Sequence, residues 1–157
     1  MDLNYKSLNS QYSPVTREGL NRLIEKAQNS NDWSKVENAN VSEITNMSSL
    51  FYGAKGIEEL DLSRWDTSNV TNMSYIFDNT DFNFPLNFNT SKVENMEGMF
   101  RGVDFNQPFN FDISDWIILD TTKNQDVIEY QKECIEKNNI KEAIIKESKS
   151  NKNVLRL

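Results

Sequence analysis

Trp65-Asp66-Thr67-Ser68-Asn69-Val70-Thr71-Asn72-Met73-Ser74-Tyr75-Ile76-Phe77 decides the architecture, because its core, Val-x-Asn-Met-x-x-Ile-Phe, recurs on both sides. Ile44-Thr45-Asn46-Met47-Ser48-Ser49-Leu50-Phe51 is the upstream copy and Val93-Glu94-Asn95-Met96-Glu97-Gly98-Met99-Phe100 the downstream one. An internal period in the twenties points to stacked units rather than to one closed globule.

Within a unit two periods alternate. Val70, Met73, Ile76 and Phe77 fall on one side of a short helix, with Ser68 placed to cap it; Ile44, Met47, Leu50, Phe51 with Ser42, and Val93, Met96, Met99, Phe100 with Ser91, are the matching sets. Between them lie segments whose apolar residues alternate as in strands: Leu60-Asp61-Leu62, Phe84-Pro85-Leu86-Asn87-Phe88 and Gln107-Pro108-Phe109-Asn110-Phe111. Each of the last two carries a proline, which removes a ladder donor and predicts a narrow, irregular sheet. One unit therefore reads as a helix turn plus a strand. The expected class is α+β, a short solenoid of about three such repeats, in which stacking buries what one unit leaves exposed.

Helical flanks are expected at both ends. Residues 1–15 read as an extended lead-in. Thr16 is placed as an N-cap, and Leu20, Leu23, Ile24 and Ala27 follow at helical spacing, so a helix is expected from about 17 to 28, with Trp33 and Val36 packing it on the first repeat. On the other side, Ile117-Ile118-Leu119 reads as a closing strand. Thr122 with Gln125 resembles a capping box, and Val127, Tyr130, Cys134 and Ile135 form a helical stripe. Asn138-Asn139 is expected to interrupt it before a second helix around Ile140, Ala143 and Ile144, followed by a frayed tail. The parts are a lead-in and capping helix (1–37), a repeat block (38–119) and a helical region with tail (120–157), together one compact domain.

Composition narrows the chemistry. The 157-residue chain has no histidine and one cysteine, Cys134, so an internal disulfide is impossible and nucleophile-plus-histidine catalysis is excluded. Cys134 lies within the apolar stripe and reads as a packed thiol. No cofactor or metal is expected. Met1 to Ser7 lacks the basic and apolar regions of a secretory leader, and no apolar run reaches membrane-spanning length, so the chain as written reads as cytoplasmic, without a membrane partner. The net charge of -7 is uneven: residues 38–116 hold twelve acids against four bases, while the flanks nearly cancel. Such a block repels nucleic acid and suits a protein partner with a basic surface.

The run Trp65-Asp66-Thr67-Ser68-Asn69-Val70-Thr71-Asn72-Met73-Ser74-x-x-Phe77 resembles the repeat of the BspA-like leucine-rich-repeat surface proteins, a bacterial family built from W-D-T-S-x-V-T-x-M-x-x-M-F units, and Phe105-Asn106-Gln107-Pro108 is similar to that family's inter-repeat segment. The likeness covers about residues 39–116. It implies a leucine-rich-repeat-like solenoid used for protein binding and often displayed at cell surfaces. The absence of a leader, the presence of only three units and the helical flanks depart from that pattern.

Residues shared by the units read as scaffold: the Met and Phe positions as inward ladders, and Asn46, Asn72 and Asn95 as an inward Asn ladder bonding backbone at turns. The residues expected to bind a partner are those that vary and project outward: Glu58, Glu59, Asp61, Arg64, Asp66, Tyr75, Asp78, Asp81, Glu94, Glu97 and Asp104, with Tyr52, Tyr75 and Trp65 as aromatic anchors. The expected function is a non-enzymatic protein–protein interaction module using an acidic face. An acidic inhibitor or immunity protein that neutralises a nuclease, and a surface-adhesin fragment, are the alternatives.

Overall fold

The computed structural model describes residues 13–103, 112–119 and 123–154. Helix α1 spans Arg17–Ser30. It starts as expected: the Thr16 hydroxyl accepts the Gly19 N–H at 3.1 Å, and Glu18 places negative charge in the first turn. It ends at Asn31, whose left-handed φ of 53° stops propagation. Leu20, Ile24 and Ala27 face the interior, and the single turn α2, Ser34–Glu37, adds buried Val36. Helix α3, Gln125–Val154, is one continuous helix. The break expected at Asn138-Asn139 does not occur. Asparagine costs a helix interior well under 1 kcal/mol, and the Asn138 amide donates to Asp112 Oδ2 at 2.5 Å instead of competing for its own backbone.

The repeats stack, but not as helix turns and strands. Among the described residues there are three α-helices and no strand, so the α+β class and the leucine-rich-repeat-like solenoid are overturned. Residues 44–54, 70–80 and 93–103 form tiers of consecutive turns. Every second N–H closes a turn on the residue three back: Leu50 on Met47, Tyr52 on Ser49, Ala54 on Phe51, and likewise Ile76, Asp78 and Thr80 in the second tier. The intervening N–H groups point along the stack: Met47, Ser49, Phe51 and Gly53 donate to the carbonyls of Asn72, Ser74, Ile76 and Asp78 at 2.8–3.0 Å, and Met73, Tyr75, Phe77 and Asn79 to those of Asn95, Glu97, Met99 and Arg101. Asn46, Asn72 and Asn95 are joined by isolated parallel bridges.

Two left-handed residues per tier explain why no helix forms. Ser49, Tyr75 and Gly98 occupy one position, with φ of 54°, 57° and 61°, and Gly53, Asn79 and Gly102 the other. A helix needs an uninterrupted right-handed run, and one αL residue ends it. The serines expected as helix caps are instead recipients: Asn40, Asp66 and Asn89 accept the N–H of Ser42, Ser68 and Ser91 in Asx turns at 3.0–3.2 Å, and Asp112 does the same for Ser114 at 2.9 Å. Asn46, Asn72 and Asn95 make a second set of such turns, Asn46 exposed and Asn72 and Asn95 half-buried rather than inward.

The apolar alternation of the expected strands holds for burial, since Leu60, Leu62, Leu86 and Phe88 are buried. The backbone ladder is absent because side chains take its place: Thr67 Oγ1 accepts the Asn89 N–H and donates to the Asn89 carbonyl, and Asn87 Nδ2 donates to the Ser63 carbonyl. Ile117-Ile118-Leu119 is likewise no strand; Ile117 N–H donates to Thr90 Oγ1, and Ile117 and Leu119 are exposed. The third expected strand, at 107–111, and the Thr122 cap lie outside the described residues.

A column of aromatic rings forms the core. Phe51, Phe77 and Phe100 stack with centroids 5.6 and 6.1 Å apart and planes within 3° of parallel. Trp33 covers the column at one end and Tyr130 of α3 at the other, edge-on to Phe100. Met47, Met73 and Met96 are wholly buried beside it. Trp65 stacks on Phe51 and donates its indole N–H to the Val36 carbonyl, so it is core rather than the surface anchor expected.

Candidate functional site

Stacking brings residues one repeat apart into contact, and at the α3 end this builds a cleft of about 390 Å³. One wall carries Tyr75 of the middle tier and Glu97, Gly98, Phe100 and Arg101 of the last, and its other wall is the start of α3, with Lys123, Gln125 and Asp126. The volume lies in the range of small-ligand or side-chain pockets.

Tyr75 holds a left-handed backbone that is unusual for a bulky residue and costs about 1–2 kcal/mol. Its ring lies over Gly98, its hydroxyl donates to Glu97 Oε1 at 2.7 Å, and Arg101 sits over its face with the guanidinium carbon 5.1 Å from the centroid. The hydrogen bond to Glu97 raises the Tyr75 pKa. Arg101 is anchored by Asp78, whose carboxylate is fully buried, through an Nη2–Oδ2 contact of 2.5 Å; that bond, then the Asp78 charge, raises the arginine pKa.

The opposite wall closes the stack. Met96 N–H, which in the preceding tiers would donate to the next tier's Asn carbonyl, donates to the side-chain Oδ1 of Asn124 at 2.6 Å. The Asp126 carboxyl lines the same wall, and burial raises its pKa. The Asn124 side chain thus stands where a further tier would have placed a carbonyl. At the other end of the stack, Arg17 Nη2 donates to the Ser48 carbonyl at 2.6 Å, and burial lowers the arginine pKa.

The residues expected to bind a partner fall into three groups. Tyr75, Asp78 and Glu97 are brought together at the cleft. Asp61, Asp66 and Asp81 hold backbone: Asp61 takes the Ser63 N–H, Asp66 that of Ser68, and Asp81 those of Gly56 and Ile57. Glu58, Glu59 and Glu94 are exposed, and Arg64, also exposed, donates to Asn38 Oδ1. Asp104 lies outside the described residues. Gly98, Phe100, Arg101, Lys123, Gln125 and Asp126 escaped the sequence reading. For Gly98 and Arg101 a signal existed: each lies one repeat beyond Tyr75 and Asp78 respectively, so stacking alone pairs them. Nothing in the repeat announces where α3 lands.

No group of three or more Cys, Asp or Glu side chains that could hold a metal ion occurs among the described residues, and none of their helices is long and apolar enough to cross a membrane. Cys134 is buried.

Tiers of turns joined by backbone bonds, closed by helices at both ends, make this a helix-capped repeat protein. The chain belongs to the family described as "Mycoplasma protein of unknown function, DUF285", whose model matches residues 18–142. Neither the curated proteins nor the solved structures compared with the chain include a match.

Proposed function

We propose that this protein is a non-enzymatic binding module that recognises a protein partner through the surface around Tyr52, Tyr75 and Arg101. The observation that carries this reading is the contrast between constant and variable positions in superposable tiers. Met47, Met73 and Met96, and Phe51, Phe77 and Phe100, keep their type and are buried. Ser49, Tyr75 and Gly98 share a backbone position and differ completely, as do Tyr52, Asp78 and Arg101. Tyr52 is 57% exposed and Arg101 60%, and tyrosine and arginine are the side chains that most often anchor protein interfaces. The likeness of the repeat to BspA-like surface proteins supports the same reading.

Exposed Glu58, Glu59, Glu94 and Glu97 keep the repeat surface acidic and favour a partner carrying basic residues. Polyanion mimicry, the basis of a nuclease inhibitor, needs acids that face outward, and Asp61, Asp66, Asp78 and Asp81 are committed inward to amides or to Arg101.

Affinity capture from the producing organism tests the proposal with three baits: the wild type, Tyr52→Ala with Tyr75→Gly, and Glu58→Lys with Glu59→Lys. A protein retained by the wild type and lost with the tyrosine variant is expected, with a smaller, salt-dependent loss for the charge reversal. Retention by all three baits alike refutes this surface as the binding face.

A further inference from the structure

The cleft beside Tyr75 has a chemistry distinct from the acidic block around it. Its walls include two aromatic rings, Tyr75 and Phe100, and two cations, Arg101 and Lys123. Two acids also line it: Glu97 is engaged, accepting the Tyr75 hydroxyl, and Asp126 sits at the start of α3. Asp78 fixes the arginine from below through Nη2, leaving the rest of a five-donor fork on a side chain that is 60% exposed. The arginine is preorganised, because its position is set by a buried carboxylate on one side and the tyrosine face on the other. Strain points the same way: a tyrosine is held in a left-handed conformation where its equivalents are serine and glycine.

We infer that this cleft captures the apolar C-terminal residue of a partner polypeptide, with the terminal carboxylate at Arg101 and Lys123 and the side chain against Tyr75 and Phe100. A chain terminus fits because it carries an anion and an apolar group on one residue, and a space of about 390 Å³ has to hold both at once. An internal acidic residue would bring its carboxylate and a neighbouring apolar side chain on separate residues with two exiting chains. The inference rests on the binding-module reading and names what part of the partner is read.

Fluorescence anisotropy with the peptide Gly-Ser-Gly-Phe, dye-labelled at its N-terminus, tests it on the full-length protein. The probe with a free carboxylate is expected to bind about tenfold or more tighter than the same peptide amidated, since one charge-assisted hydrogen-bonded contact is lost. Replacing the last residue of the probe by glycine weakens binding to a similar degree. Tyr75→Gly and Lys123→Gln are each expected to weaken the acid probe several-fold while leaving the circular dichroism spectrum of the protein in place and its Tm no lower. Equal binding of acid and amide, no binding of the acid probe, or acid binding untouched by both substitutions overturns the inference. If partner capture is still lost with the tyrosine variant while the probes fail, the binding-module reading stands and only the terminus reading falls.

Discussion

The ring of Tyr75 occupies the space that a side chain on Gly98 would need: a Cβ built there would fall within van der Waals distance of Tyr75 Cε1, Cδ1 and Cζ. Gly98 also has a φ of 61°. Gly98→Ala therefore carries two penalties, backbone strain of about 1–2 kcal/mol and overpacking of about 1–3 kcal/mol. Tyr75→Gly relieves the left-handed tyrosine and vacates the space, so it is expected to be neutral or stabilising. In the double variant only the strain at 98 should persist. Urea unfolding of the four proteins measures the coupling; strictly additive effects would show that the ring does not occupy that space.

Asn124 tests whether the last tier needs a substitute for its missing neighbour. Asn124→Ala leaves the buried Met96 N–H without an acceptor, at a cost of about 1–3 kcal/mol. Native-state hydrogen exchange should show Met96 losing protection while Met47 and Met73, bonded to backbone carbonyls, keep theirs. Unchanged exchange at Met96 contradicts the capping role.

Arg101 is exposed, yet its removal should be costly, because Asp78 is left as a buried carboxylate with Asn79 Nδ2 as its remaining described partner. Arg101→Ala is expected to lower the Tm, by less than the loss of a partner from a fully buried pair because the arginine is in water. Adding Asp78→Asn should recover part of the loss. Thermal unfolding of the single and double variants at neutral pH provides the measurement.

Asp126 should make stability fall with rising pH. Burial raises its pKa above the ordinary value of 3.8, so between the two values the folded state binds more protons than the unfolded one, and unfolding free energy decreases as pH rises through that window. The variant Asp126→Asn keeps the size and polarity of the side chain without the titration. Its stability relative to wild type should therefore improve from pH 3 to pH 7, followed by urea unfolding across that range; a constant difference would mean the carboxyl is not raised.

Much of the scaffold was legible in residue types. The repeat register, the buried Met and Phe positions, the Thr16 cap of α1 and Val127, Tyr130 and Cys134 of the α3 stripe all follow from apolar spacing and capping chemistry, and the structure bears them out, whereas Ile135, expected in the same stripe, is exposed. The type of element inside the unit was misread because a spacing of three to four residues is shared by a helix and by consecutive turns. The two differ in the direction of alternate N–H groups, and the amino-acid pattern does not state that direction. Ser49, Tyr75 and Asn79 carry no glycine to advertise a positive φ. The site was half legible: Tyr75, Asp78 and Glu97 stood out as variable residues, but their meaning changed once Arg101 arrived from the next tier and Asp126 from a helix distant in sequence.

What the sequence determined by itself is therefore local and periodic: which residues repeat, which face inward, and where the first helix begins. What only the tertiary structure decided is how neighbouring tiers share their backbone hydrogen bonds, and so whether the unit is helix, strand or turn. A lone unit has no carbonyl to receive Met73, Tyr75, Phe77 and Asn79; the next tier supplies all four, and that exchange, with α3 closing the last edge through Asn124, selects the turns and shapes the cleft.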